Sequence, residues 1–226
     1  MIKNFTAAIL NRHKKPLKVI NDLNLGKINV NQVLVKIKYS GLCGSQLAEI
    51  NGYREDKKFL PHLLGHEGYG KVIGVGKNVK KVKVNDNIIL SWIKGKGKDT
   101  KGIKINYHNS IINAGPVTTF SQYSLISENR CFKAPAGIDP KKAVLFGCAI
   151  PTGLGMILNQ LKPKINKSFV LFGAGGVGMV TLIGLKLFRP KNVLVIDKNN
   201  KRANVIKKFG KENIFLKNTK NIKKIF

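Results

Sequence analysis

Three separated clusters in this chain carry residue types that could share one metal ion: Gly41-Leu42-Cys43-Gly44-Ser45, Gly65-His66-Glu67-Gly68 and Gly147-Cys148. Zinc prefers thiolate and imidazole ligands, and a catalytic zinc takes three of them while its fourth position serves water or substrate. Cys43, His66 and Cys148 supply that set. Spacing alone does not prove that they converge, and each has a plainer reading: a buried thiol at either cysteine, a hydrogen-bonded structural histidine at His66. Further along, Gly173-Ala174-Gly175-Gly176-Val177-Gly178 has the spacing of a dinucleotide-binding turn. Its glycines allow a tight turn, close approach of backbone to pyrophosphate and close helix packing. Asp197 follows about twenty residues later, where a carboxylate can bind both ribose hydroxyls. A solvated turn aspartate is the plainer alternative. NAD is expected over NADP because a carboxylate repels a 2′-phosphate, although Lys198 and Arg202 are cations able to accept one. A soft metal and a dinucleotide on one polypeptide imply metal-assisted hydride transfer.

The elements around these clusters differ along the chain. Residues 1–149 read as β-rich. Val33, Val35, Ile37 and Tyr39 alternate with Gln32, Leu34, Lys36 and Lys38, the period of a strand with one buried face. Short strands follow at Tyr69 to Val75 and Ile88 to Trp92, with an Asn85-Asp86 turn before the second. Gly95 to Asn109 is rich in lysine and glycine and reads as an exposed loop. After Pro151 the pattern changes to a helix from Thr152 to Leu161, then a strand, Ser168 to Phe172, apolar enough for burial on both faces. The glycine turn leads into a helix through Phe188, the strand Asn192 to Ile196, a helix over Lys201 to Phe209 stopped by Gly210, and a strand over Asn213 to Leu216. Strand, turn and helix in that order are the context a dinucleotide turn requires.

The 226 residues carry a formal charge of +30. A strongly basic surface attracts polyanions, but the cations are almost all lysine and are dispersed, with arginine only at positions 12, 54, 130, 189 and 202. Specific nucleic-acid binding is therefore not expected. No apolar stretch approaches the roughly 20 residues that span a bilayer, and the N-terminus lacks a charged segment followed by an apolar run. A cytoplasmic protein with no membrane partner is expected, whose cysteines stay reduced. Cys131 has no ligand-like neighbour and reads as structural. His13, His62 and His108 read as surface or loop residues, and Pro61 and Gly65 argue against a helix that would pair His62 with His66.

Taken together the motifs resemble the zinc-dependent medium-chain dehydrogenase/reductase family, the alcohol dehydrogenase superfamily: a cysteine after a glycine (Cys43), Gly65-His66-Glu67, and Gly147-Cys148 ahead of Thr152-Gly153. The resemblance runs through essentially the whole chain. It implies an α/β protein, with a GroES-like β-rich catalytic domain over 1–149 followed by the first half of a Rossmann parallel-sheet domain over 150–226. By the same resemblance Cys43, His66 and Cys148 hold the zinc beside the nicotinamide, and Glu67 is the acidic neighbour that approaches the metal during ligand exchange. Ser45 starts the proton relay, Thr152 packs against the nicotinamide, and a basic residue at Arg202 contacts the ribose in NAD enzymes. The implied substrate is a small alcohol, polyol or carbonyl compound.

The chain departs from the family pattern in places. Gln46 stands where many relatives have the aspartate that orients the zinc histidine, and a neutral amide can accept the same hydrogen bond. Ala48 replaces a relay histidine, so water or a cofactor hydroxyl must complete proton release. Trp92 to Ala114 contains no cysteine, so one catalytic zinc and no structural zinc is expected. Relatives continue for more than a hundred further residues, which supply the remaining strands and much of the dimer interface. A chain truncated within the Rossmann domain is therefore expected, of open activity and oligomeric state. A noncatalytic metal- or nucleotide-binding fragment is one alternative. A zinc-free quinone or enone reductase is another, opposed by the three ligands.

Overall fold

The computed structural model describes residues 2–53, 59–210 and 213–218. The polar C-terminal stretch beyond Asn218 lies outside them. The chain divides into two compact units, Met1–Cys148 and Ala149–Phe226.

The first unit is built on two five-stranded sheets. One runs Cys131–Lys133, Asn87–Leu90, Gly68–Val75, Gln32–Ser40 and Tyr123–Ser127, antiparallel throughout. The other runs Lys18–Leu25, Ile2–Leu10, His62–Leu63, Ser110–Ala114 and Lys104–Tyr107. The strand Gln32–Ser40 departs from the one-faced expectation, because Gln32, Val33, Leu34 and Val35 are all buried. Leu34 packs with Phe5, Leu23, Ile112 and Leu125. Val33 and Val35 pack with Val72, Ile88, Leu90, Ile126 and Cys131. The strand therefore divides two apolar layers, and its alternation sorts side chains between two cores rather than between core and water.

The expected loop over 95–109 is also corrected. Lys104–Tyr107 and Ser110–Ala114 form a hairpin, with Ile105 opposite Ile112 and both buried. Its two-residue turn has His108 at φ 47°, the left-handed geometry that suits the twist of paired strands. His62 is not a loop residue either. It lies in a short strand and its Nε2 is 2.6 Å from Glu49 Oε1. Cys131 is fully buried, and burial pushes its thiol up to about 12, in keeping with a packing role.

In the second unit a parallel sheet runs Phe169–Phe172, Val193–Ile196, Asn213–Leu216. The helix expected after Pro151 begins earlier, at Ala149, and continues to Leu161 through a π segment from Met156. Proline is tolerated there because first-turn amides have no intrahelical partner. The first strand is buried on one face only. Phe169 and Leu171 pack with Leu182, Leu185, Val193, Val195 and Ile206, whereas Val170 and Phe172 are 44% and 67% exposed. Val193–Ile196, the central strand, is buried throughout, as its apolar run demands.

Candidate metal centre and dinucleotide turn

Each metal-ligand candidate follows a glycine that the packing requires. A Cβ on Gly41 would lie 2.7 Å from the Glu67 side chain, and one on Gly147 would lie 2.3 Å from the Leu90 carbonyl oxygen. Gly65 adopts φ 88°, and a Cβ there would come within 2.3 Å of Thr119 Oγ1 and 2.8 Å of the Phe120 amide nitrogen. Hydroxyls then fix the close-packed backbone. Thr119 Oγ1 donates to the Glu67 carbonyl at 3.1 Å and is 2.7 Å from Ser40 Oγ, while the Gly41 amide donates to the same carbonyl at 3.1 Å. Ser91 Oγ donates to the Gly147 carbonyl at 2.7 Å and accepts from the Ile93 amide at 3.0 Å. Ser40, Ser91 and Thr119 belong to none of the sequence motifs. Ser40 directly precedes Gly41, a weak signal that only the fold makes readable.

The result is convergence. The ligand atoms of Cys43, His66 and Cys148 all lie within 4.8 Å of one another. The two sulfurs are 3.9 Å apart and form no disulfide. Two thiolates at about 2.3 Å on a tetrahedral zinc stand roughly 3.8 Å apart, so this donor set fits zinc and is too open for a disulfide. Cys43 caps the helix Gly44–Ile50, which places Ser45 in the first turn directly after a ligand. Ser45 Oγ and Gln46 Oε1 are buried and accept no hydrogen bond among the described residues. The hydrogen bond expected at the Gln46 amide oxygen is therefore not made. Glu67 is 3% exposed beside His66.

In the second unit, Gly173 turns the chain at φ 87° and its amide donates to the Ile196 carbonyl at 2.8 Å. Gly175 caps the helix Gly176–Leu185, with Val177 and Gly178 in the first turn. A Cβ on Gly178 would lie 2.0 Å from the Gly173 carbonyl oxygen, whereas Gly173 and Gly176 face open space. The turn is thus closed from inside by Gly178 and left clear outside. Gly153 provides another close approach, since its Cβ would lie 2.8 Å from the Val177 carbonyl oxygen. Its neighbour Thr152 has a buried Oγ1 without a hydrogen-bond partner among the described residues.

Asp197 ends the strand Val193–Ile196 and is tied to the turn. Its Oδ2 accepts from the Ala174 amide at 2.7 Å and from Arg202 Nη1 at 2.6 Å, and its Oδ1 accepts from the Asn199 amide at 2.8 Å. The two backbone donors, with the Arg202 guanidinium, hold its carboxyl down at about 2 against some desolvation. Asp197 therefore already braces the glycine turn, and a ribose would use its remaining acceptor capacity or displace Arg202. Phe172, Gly173, Ile196, Asp197, Asn199 and Arg202 line an open cleft of about 660 Å³ at the carboxyl ends of the strands, where ligands of open α/β sheets bind.

Residues 29–136 match the Alcohol dehydrogenase GroES-like domain family. An S-(hydroxymethyl)glutathione dehydrogenase from Paracoccus denitrificans is 28% identical, aligned over 90% of this chain and 61% of its own length. The chain thus spans about three fifths of that curated relative. The crystal structure of benzyl alcohol dehydrogenase from Acinetobacter calcoaceticus superposes with a TM-score of 0.84 at 25% identity, covering 99% of this chain and 67% of that one. A short chain alcohol dehydrogenase from Escherichia coli CFT073, complexed with cofactor NADH, shares the fold at a TM-score of 0.78 and 21% identity, over 100% of this chain and 67% of its own. Residues 29–136 thus belong to the Alcohol dehydrogenase GroES-like domain family, and over nearly its whole length the chain is similar to alcohol dehydrogenases in sequence and fold.

Proposed function

We propose that this chain carries the metal centre and part of the cofactor site of a zinc- and NAD-dependent oxidoreductase acting on a small alcohol or the corresponding carbonyl compound. The observation that carries the reading is the meeting of Cys43, His66 and Cys148 within 4.8 Å. It favours zinc chemistry over a zinc-free reductase of the same superfamily, which has no use for three convergent soft ligands. The catalytic domain is assigned to 1–149 and the dinucleotide-binding domain to 150–226.

In this mechanism Cys43, His66 and Cys148 would hold one catalytic zinc, and no structural zinc is assigned. Bound zinc supplies Lewis acidity, lowering the pKa of an alcohol hydroxyl or polarising a carbonyl. Ser45 Oγ, buried and without a partner among the described residues, takes the hydroxyl proton and passes it outward. Ala48 cannot continue that path, so water or a ribose hydroxyl completes it. Glu67 is the acidic group set to approach the metal site during ligand exchange. Gly173, Gly175, Gly176, Val177 and Gly178 would receive the pyrophosphate at the helix N-terminus, where aligned peptide dipoles favour an anion. Asp197 selects the ribose diol of NAD. Its bond to Arg202 neutralises the cation that a 2′-phosphate would need. Thr152 contributes to the nicotinamide side. Among the described residues no single helix is long and apolar enough to cross a membrane, and we assign the enzyme to the cytosol.

Elemental analysis of the purified chain, paired with NADH fluorescence titration, tests this reading. About one zinc per chain, lost in Cys148→Ala, with saturable NADH binding is the expected result. Folded wild-type protein without zinc would overturn the metal assignment. Zinc without NADH binding would overturn the cofactor assignment.

A further inference from the structure

A second cleft, of about 700 Å³, shares no residue with the metal or dinucleotide sites and is lined chiefly by lysines: Lys77, Lys80, Lys81, Lys96 and Lys98, with Glu128. The lysines come from two loops that one carboxylate fastens together. Glu128 Oε1 accepts from the amides of Lys80 at 2.7 Å and Lys81 at 2.9 Å, and its Oε2 accepts from the amide of Lys98 at 2.9 Å. Gly97, at φ 111°, permits the approach, since a Cβ there would lie 3.0 Å from Glu128 Oε2. The Gly95 amide donates to the Asn129 carbonyl at 2.8 Å and secures the second loop to the same short helical turn. Burial tends to raise the Glu128 carboxyl, but the three backbone donors and the Lys81 charge hold it below its ordinary range. It stays ionised and is spent on the backbone.

Five lysines therefore line a cleft whose single lining carboxylate is already committed. Lys81 shows the imbalance most clearly. Its Nζ is buried with no hydrogen-bond partner among the described residues, 3.8 Å from the centre of the Phe132 ring. Desolvation pulls its pKa down, against the pull of Cys131 and Glu128. A cation held out of water without a hydrogen bond is costly unless an anion arrives to accept from it. Lysine ammonium groups bind phosphate as point charges, and the volume falls in the range of roughly 300–1,000 Å³ typical of small-molecule sites.

We propose that this cleft binds a small, multiply charged phosphate compound through Lys77, Lys80, Lys81, Lys96 and Lys98. Its bounded size favours such an anion over a nucleic-acid duplex, whose charged backbone calls for a continuous basic track.

The test is calorimetric titration of the whole chain with pyrophosphate at physiological ionic strength, in the presence of saturating NADH so that the glycine turn is already occupied. One saturable site is expected, weakened at least about tenfold in Lys80→Ala/Lys98→Ala, whose backbone amides still reach Glu128. A control with the same loss of charge on the other unit, Lys164→Ala/Lys191→Ala, should change affinity less than about twofold. Lys81→Met, which keeps the stem over Phe132, should weaken binding with the circular dichroism spectrum unchanged. Repeating the titration on Cys148→Ala, which lacks a complete ligand set, separates the cleft from chelation of the metal and should give the wild-type affinity. Non-saturating binding, equal weakening in the control, or undiminished binding in Lys80→Ala/Lys98→Ala would overturn the proposal. A short duplex that competes with equal affinity would overturn the assignment to a small anion.

Discussion

The two candidate sites, one in each unit, use glycine for opposite purposes. Beside the proposed metal ligands, Gly41, Gly65 and Gly147 are filled from outside: a methyl group at any of them would run into Glu67, Thr119 or the Leu90 carbonyl. In the nucleotide turn, Gly173 and Gly176 face nothing within 4 Å, and only Gly178 is pressed against its own turn. The first set lets protein approach protein; the second leaves clearance for something that is not protein. Glycine beside a functional residue is therefore no single signal. What its missing Cβ would touch decides whether it serves stability or binding.

That contrast predicts how substitutions divide. Gly65→Ala should cost the most, about 3 kcal/mol of stability in the first unit, because a left-handed φ and a backbone contact must both yield. Urea denaturation would measure it, and a loss below about 0.5 kcal/mol would collapse the distinction. Gly176→Ala should leave stability nearly unchanged, since alanine is the better helix former, while NADH binding weakens roughly tenfold from lost clearance. Equal binding by the variant would show that the open space is incidental.

Smaller effects sharpen the same comparison. Ser91→Ala removes the hydroxyl that supports the Gly147 carbonyl and should cost about 1 kcal/mol, read from the shift of the unfolding midpoint. Asp197 should give the mildest signal, in acid. Its carboxyl, held at about 2 in the fold against an ordinary 3.8, contributes stability above pH 3.8 that is lost as pH falls toward 2. Asp197→Asn should flatten the acid limb of the second unit's stability across that window, and an unchanged limb would remove the brace assigned to this residue.

How much of this was readable beforehand follows the same division. The nucleotide turn is contiguous, so Gly173 to Gly178 could be placed between a strand and a helix from local pattern alone. Cys43, His66 and Cys148 were legible by type, but their meeting depends on pairings such as Gly68 with Leu90 and Tyr39 with Tyr69, which no local window contains. The hairpin at Lys104–Tyr107 stayed hidden because lysines and glycines around Ile103, Ile105 and Tyr107 dilute a true period of two. The N-terminal strands Ile2–Leu10 and Lys18–Leu25 have no clear signature in the sequence, since irregularities between Ile2 and Ala7 and a left-handed Asn4 interrupt the alternation. The hydrogen bond expected at Gln46 is not made because its burial, not its hydrogen-bonding capacity, is what the helix Gly44–Ile50 settles.

The placement of Cys148 has a consequence for biosynthesis. It is the final residue of the first unit and stands 105 positions after Cys43. A nascent chain therefore exposes two of the proposed ligands long before it can offer the third. Closing so long a loop is entropically slow and must await the intervening strands. The three-ligand centre is complete only when the last residue of the unit docks, so metal uptake would report the completion of translation and folding of that unit rather than initiate it.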